Sequence, residues 1–361
     1  MILNSVRGIG PITLSRLMEK FGDDPWEILS ASPHQLSQVK GVGKQLIHSV
    51  SQVRASGWLE KEKQKLEKIG GNFLDLSKLP TILQQLPDAP IGLYCLGQIP
   101  DLPCVSIVGT RVPSNYGKKF ARKIAYELAQ SGFCIVSGMA RGIDTEAHLG
   151  ALEAGGRTMA FLGTGIDVVY PPENFDLYKN IRKNGAVLSE FPLGRRADRR
   201  TFPMRNRLVA GCSLAVVVIE SAQSGGSMIT AKFAAEQGRT VFALPGRVDL
   251  PESRGCLDLI RDGATLVRNA LDIIEELAPM LGSMDKKPLS SQTTKQLNPS
   301  SELDKNERLI IELFRGGDRL GIEDIQQSTA IEMSKVAPSL SMLEIKGLIL
   351  KCTDGKYEIN T

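Results

Sequence analysis

The sequence predicts an α/β protein whose centre is a doubly wound, mostly parallel sheet, with a helical domain before it and a small helical domain ending in a β-hairpin after it. Two observations carry this expectation. Between Leu93 and Val267, short β-branched runs alternate with helix-period stretches, and that alternation means a parallel sheet covered on both faces. Outside this region the apolar spacing is helical, interrupted by one polar interval after Pro279. The expected domains are residues 1–75, 76–278, a linker over 279–302, and 303–361.

The first domain contains an approximate repeat. Val6-Arg7-Gly8-Ile9-Gly10 returns 33 positions later as Val39-Lys40-Gly41-Val42-Gly43, and each copy precedes an amphipathic stretch, Thr13 to Phe21 and Gln45 to Val53. Gly-x-Gly between short helices makes a tight hairpin and leaves backbone N–H groups exposed at the start of the next helix. The pattern resembles tandem helix-hairpin-helix (SAM-like) motifs, which hold a nucleic-acid phosphate on such amides. An ordinary αα-hairpin whose glycines serve only the turn fits equally well. The charged run Lys61 to Lys68 reads as a solvated helix face.

In the central domain, strands are expected at Val105–Val108, Cys134–Val136, Met159–Phe161, Ala186–Leu188, Leu214–Ile219 and Val241–Ala243. Helix-period stretches lie between them at Lys118–Gln130, Asp144–Ala154, Phe175–Lys183 and Met228–Gln237. The interval Gly282 to Ser301 is rich in Ser, Thr, Gln, Lys and Pro, the composition of a linker. The last 59 residues combine three helical patterns with two short apolar strands around Asp354-Gly355, a winged-helix pattern. Such a domain usually reads duplex DNA. Here 8 basic residues face 10 acidic ones, a net of −2, and phosphate neutralisation supplies much of a duplex binder's affinity. Protein contact is the expected role.

Composition narrows the function. The 361 residues carry 44 Lys and Arg against 40 Asp and Glu, a net charge of only +4, so a chain-wide polybasic binder is excluded. Six dispersed cysteines form no Cys-x-x-Cys pair, and three histidines complete no ligand cluster. Neither a metal nor a disulfide scaffold is expected. No apolar run approaches the roughly 18 residues of a membrane span, and a cytoplasmic setting is expected.

The chemistry is expected at the strand ends. Val108-Gly109-Thr110-Arg111, Ser137-Gly138-Met139-Ala140-Arg141-Gly142-Ile143-Asp144, Gly163-Thr164-Gly165 and Glu220 to Ser227 follow successive strands. Glycines there let a phosphate approach the backbone, and helix N-termini present N–H groups to it. The first strand lacks the Gly-x-Gly-x-x-Gly spacing of a dinucleotide site, so no nicotinamide or flavin cofactor is expected. The most basic segment is Arg195 to Arg207, with six arginines and one aspartate, net +5. Six like charges in thirteen residues repel unless an anion relieves them, and Phe202 among them offers a stacking face.

These motifs, with Tyr170-Pro171, Ser189-Glu190-Phe191-Pro192, Phe202-Pro203-Met204-Arg205-Asn206-Arg207, Ser224 to Ala231 and Leu244-Pro245-Gly246, resemble the DNA-processing protein A family (DprA, also called Smf). The resemblance implies a cytoplasmic, homodimeric protein that binds single-stranded DNA on an extended Rossmann-like domain and helps load RecA recombinase during natural transformation. It implies phosphate contacts at Gly109, Thr110 and Arg111, a basic contact at Arg199 and a stacking aromatic at Phe202. Ser137, Gly138, Arg205, Asn206, Gly225, Gly226 and Ser227 complete the expected DNA-binding set. The apolar face near Leu257, Leu259, Ile260 and Leu266 resembles the family's dimer-forming end.

The alternative is a nucleotide-cleaving phosphoribohydrolase of the same superfamily. This chain keeps the arginine, at Arg205, and the pair Gly225-Gly226, but has Ser227-Met228-Ile229-Thr230-Ala231 where the enzyme carries its glutamate. Without that carboxylate nothing at the position promotes loss of the base. Asp144, at a helix start, is expected to act as an N-cap, with His148 on the same face and able to pair with it. Ser189, Glu190 and Asp167 form no ordered nucleophile and base set. No catalytic residue, metal or cofactor is expected.

Overall fold

The computed structural model describes residues 1–6, 8–55, 57–281, 303–314, 318–352 and 354–360. Two units separate, 1–289 and 290–361, and each is described by itself.

The first unit begins with six helices: α1 (Ile2–Ser5), α2 (Pro11–Phe21), α3 (Pro25–Ser30), α4 (Pro33–Ser37), α5 (Lys44–Ala55) and α6 (Trp58–Lys68). Both amphipathic stretches after the repeat are helices, α2 and α5. Leu17, Ile28, Leu29, Leu36 and Val50 fill a separate small core between them. Helix α6 carries the charged run, and its face is solvated as expected at Lys61, Lys63, Lys65, Glu67 and Lys68, with Glu62 the exception. Glu62 is buried because its carboxylate accepts the Leu193 N–H at 2.7 Å.

A nine-stranded sheet follows: β1 (Asn72–Asp75), α7 (Thr81–Gln84), β2 (Gly92–Gly97), β3 (Cys104–Val108), α8 (Asn115–Gln130), β4 (Cys134–Ser137), α9 (Ile143–Glu153), β5 (Thr158–Phe161), α10 (Phe175–Asn184), β6 (Gly185–Ser189), α11 (Thr201–Gly211), β7 (Ala215–Val218), α12 (Gly226–Glu236), β8 (Thr240–Ala243), α13 (Arg254–Arg261), β9 (Thr265–Leu266) and α14 (Ala270–Leu281). The strand order is β1-β2-β6-β5-β4-β3-β7-β8-β9. All pairings from β6 to β9 are parallel, and β1 and β2 are antiparallel additions at one edge. The chain winds outward from β3 to β6, then returns to β3's other side with β7. That reversal is the topological switch beside which open α/β sheets bind ligands.

The period of two along a strand sorts its side chains between two cores. Val216 and Val218 of β7 join Leu208 of α11 and Ala231 of α12 on one face. Ala215 and Val217 meet Ile124 and Leu128 of α8 and Ile273 and Leu277 of α14 on the other. All six expected strands form. The segment read as helical up to residue 75 ends in β1, the sheet's edge strand. The expected linker start is corrected by α14, which continues to Leu281 with Pro279 inside it; residues 282–302 lie outside the described residues.

The second unit holds α15 (Lys305–Leu313), α16 (Ile322–Thr329), α17 (Met333–Ile345) and an antiparallel pair, β10 (Ile349–Lys351) and β11 (Tyr357–Ile359). Asp304 caps α15, accepting the Asn306 and Glu307 N–H groups, while Glu307 accepts from the Asp304 N–H. The buried Glu307 carboxylate also takes the Lys346 ammonium at 2.6 Å, tying α15 to the end of α17 around Ile310, Phe314 and Leu340.

Candidate nucleic-acid interface

At the carboxyl ends of β3, β4 and β5, a pocket of about 30 Å³ lies between the loops after those strands and the first turns of α11. That is room for about two waters or one projecting chemical group. Arg111, Gly138, Gly163, Tyr170, Phe202 and Arg205 are among the residues lining it. Phe202, half-buried, has the Arg111 guanidinium 5.3 Å from its ring centroid and the Tyr170 ring at 5.8 Å, tilted 41°.

The floor is an ion pair. Arg205 and Asp144 are both buried, with Nη1 and Oδ2 3.7 Å apart. Gly138 makes room for the guanidinium, since a Cβ there would stand 0.9 Å from Arg205 Nη1. Burial raises the Asp144 pKa and lowers that of Arg205, each against the pull of its partner. Asp144 does not cap its helix, contrary to expectation. The cap is Gly142, at φ +78°, whose Cβ would run into the Thr110 carbonyl oxygen at 2.4 Å. The Asp144 carboxylate instead reaches back to accept the Gly138 and Ala140 N–H groups at 3.1 and 3.3 Å. The expected pairing of His148 with Asp144 is also corrected. His148 Nδ1 contacts the Thr158 hydroxyl at 2.7 Å, and that hydroxyl donates to the Ile135 carbonyl. The His148 pKa falls to about 3, first from burial and then from the charge of Arg205.

Much of the expected anion crest is already satisfied within the protein. Thr110 N–H donates to the Glu220 carbonyl at 2.7 Å. The buried Glu220 carboxylate accepts the Ser114 N–H and hydroxyl at 2.9 and 2.5 Å, closing the N-terminus of α8. Gly109 serves packing, as its Cβ would meet Ile143 Cγ1 at 2.6 Å. Ser137 is a correction: it is fully buried and its hydroxyl donates to the Ile107 carbonyl, so it braces the sheet and offers no surface.

The second cluster lies at the start of α12. Ser227 is buried and donates to the Ser221 hydroxyl, Gly225 would clash with Ser221 Oγ if it had a Cβ, and Asn206 of α11 donates to the Gly226 carbonyl at 3.3 Å. Gly226 differs from these neighbours. It is exposed, and a Cβ there would meet nothing within 4 Å.

The arginine-rich segment divides at Thr201. Arg195, Arg196, Arg199 and Arg200 are exposed on the loop before α11, with Arg195 and Asp198 3.5 Å apart. Arg205 and Arg207 turn inward, Arg207 meeting the Asp88 and Glu190 carboxylates. The like-charge repulsion expected of six arginines therefore concerns four. Sequence reading does not single out Arg141, Gly163, Thr164 or Tyr170 as site residues, although each belongs to a motif noted above. Among the described residues no three His, Cys, Asp or Glu side chains are grouped to hold a metal, and no helix is long and apolar enough to cross a membrane.

Residues 73–278 match the family model of DNA recombination-mediator protein A. Over an alignment of 392 positions the chain is 35% identical to the Smf protein of Synechocystis, covering 98% of this chain and 96% of that protein. It is 41% identical over 220 residues to DNA processing protein DprA of Streptococcus pneumoniae, covering 60% of this chain and 77% of the relative. Among solved structures, the X-ray structure of Streptococcus pneumoniae DprA superposes with a TM-score of 0.66 at 33% identity, over 76% of this chain and 95% of that one. DNA processing protein A of Helicobacter pylori, described for its single-stranded DNA binding mode, superposes with a TM-score of 0.54 at 33% identity, over 58% and 96%.

Proposed function

The chain belongs to the DNA recombination-mediator protein A family, and from that premise we propose that it binds single-stranded DNA across the carboxyl ends of β3, β4, β5 and β7 and hands it to a recombinase. The observation that carries this reading is Phe202. A half-buried aromatic, flanked by the Arg111 guanidinium and approached by the exposed Arg195–Arg200 loop, joins a stacking face to phosphate-binding charge. One base stacks on Phe202, Arg111 and Arg199 hold adjacent phosphates, and the strand continues past the open backbone at Gly226. Arg205 acts from beneath, shaping the pocket. The Helicobacter pylori relative, described for single-stranded DNA binding, supports the substrate.

The same reading makes the protein a cytoplasmic homodimer that loads RecA during natural transformation. Leu266, exposed on the edge strand β9 beside α13, belongs to its dimer face, and the second unit is a winged helix that contacts protein. The domains are the helical segment through α6, the sheet from β1 through α14, and 303–361. No catalysis is assigned, because Asp144 is committed to loop amides and Arg205, and Glu220 to Ser114. The deciding experiment is a salt-titrated binding comparison of single-stranded oligonucleotide, duplex and mononucleotide. Preference for the single strand with no release of free base is expected; turnover of a nucleoside monophosphate points instead to the phosphoribohydrolase reading.

A further inference from the structure

The pocket beside Phe202 is lined by three guanidinium groups. Arg205 lines it at 6% exposure, and its Nε–H has no hydrogen-bond partner among the described residues. Arg111, over the Phe202 ring, and Arg141, paired with the Glu173 carboxylate, add two more guanidinium groups to the lining. Thr164 spends its hydroxyl proton on the Val168 carbonyl. Two carbonyl oxygens in the lining are taken already, that of Thr164 by the Ser189 hydroxyl and that of Ala140 by Thr145. A buried donor without a partner is costly, and an occupant that supplies an acceptor removes the cost.

At about 30 Å³ the pocket admits one exocyclic group of a base and leaves the ring and the sugar outside. The edge farthest from the glycosidic bond carries position 4 of a pyrimidine or position 6 of a purine. Thymine and guanine have a carbonyl oxygen there; cytosine and adenine have an amino group, a donor facing donors. We propose that this pocket selects a keto base, thymine or guanine, over cytosine or adenine, with Arg205 donating to the exocyclic oxygen. The inference rests on the reading that a base of single-stranded DNA stacks on Phe202.

The test is anisotropy binding of the full chain to dT12, dU12 and dC12 at one salt concentration. Both dT12 and dU12 are expected to bind about tenfold more tightly than dC12, and the uracil arm removes any contribution of the thymine methyl. Equal or tighter binding of dC12 overturns the keto preference while leaving single-strand binding in place. Failure of all three to bind overturns the single-strand reading itself. A double variant, Asp144→Asn with Arg205→Met, removes both buried charges together. Residual binding without discrimination between dT12 and dC12 supports the assignment to Arg205, and retained discrimination overturns it. The wild-type comparison decides the preference even if the double variant does not fold.

Discussion

The Arg111 guanidinium lies 5.3 Å from the centroid of the Phe202 ring, so the charge proposed to hold a phosphate and the face proposed to stack a base begin in contact with each other. A base reaching the covered face must displace Arg111 or slide between the two groups. Such a cation–π contact is worth about 0.5–1 kcal/mol at an exposed site, which base stacking at about 1–3 kcal/mol outweighs. Phe202→Ala is therefore expected to weaken single-strand binding by about 1–2 kcal/mol, the stacking lost less the contact given up. Fluorescence anisotropy at fixed salt measures this, and an unchanged affinity removes Phe202 from the interface.

The split of the arginine segment gives two kinds of variant. Arg199 is exposed on the loop before α11, so Arg199→Ala should lower the salt dependence of binding by about 0.7 in the log–log slope, the value for one phosphate on a single strand. Arg207 is buried against Glu190 and Asp88. Removing one partner of a buried pair costs about 3–5 kcal/mol, so Arg207→Ala should lower the unfolding free energy and leave the salt slope of the folded fraction unchanged. Paired urea denaturation and salt titration separate the two. A reduced slope in Arg207→Ala would contradict its inward placement.

Two glycines test whether a ligand approaches the backbone. Gly138→Ala places a methyl where Arg205 Nη1 now stands, 0.9 Å away, and must push the guanidinium off Asp144, at a cost of about 3 kcal/mol or more. Gly226→Ala meets nothing inside the protein, so stability should change by no more than about 0.5 kcal/mol. A strand passing over Gly226 feels the new methyl, and affinity should drop severalfold with the melting temperature held. Unchanged affinity in a stable Gly226→Ala protein takes that loop out of the path.

The central parallel strands are legible because they are short unbroken apolar runs. Ala215-Val216-Val217-Val218 is buried on both faces, the pattern a parallel strand covered by helices requires. Strand β9, two residues long, leaves no such run to read. The destinations of the charges are less legible. Six arginines in thirteen residues read as surface, because arginine is seldom fully buried without a partner, and the partners Asp88, Asp144 and Glu190 lie 119, 61 and 17 residues from their arginines. Asp144 reads as an N-cap because carboxylates at helix starts usually are. Only the fold shows that Gly142 occupies the cap and frees Asp144 to bind the Gly138 and Ala140 amides.

His148 makes the fold sensitive to acid in a calculable direction. Its imidazole is buried, with Nδ1 on the Thr158 hydroxyl, and its pKa is lowered to about 3, against about 6.5 in the unfolded chain. Between those values the unfolded state binds the extra proton, so stability rises with pH across the window and is lost as pH falls through about 6.5. From pH 7 to pH 5 this one residue should cost about 2 kcal/mol. Asp144 and Glu190, whose pKa values burial raises, act in the opposite sense, since a proton held by the folded state favours it at low pH. The contribution of His148 is therefore read as a difference. Urea unfolding of the wild type and of His148→Gln at pH 5, 6 and 7 should show the variant less stable at pH 7 but losing about 2 kcal/mol less on acidification. Parallel pH profiles for the two proteins would mean that the imidazole takes up its proton in the fold at the same pH as in the unfolded chain.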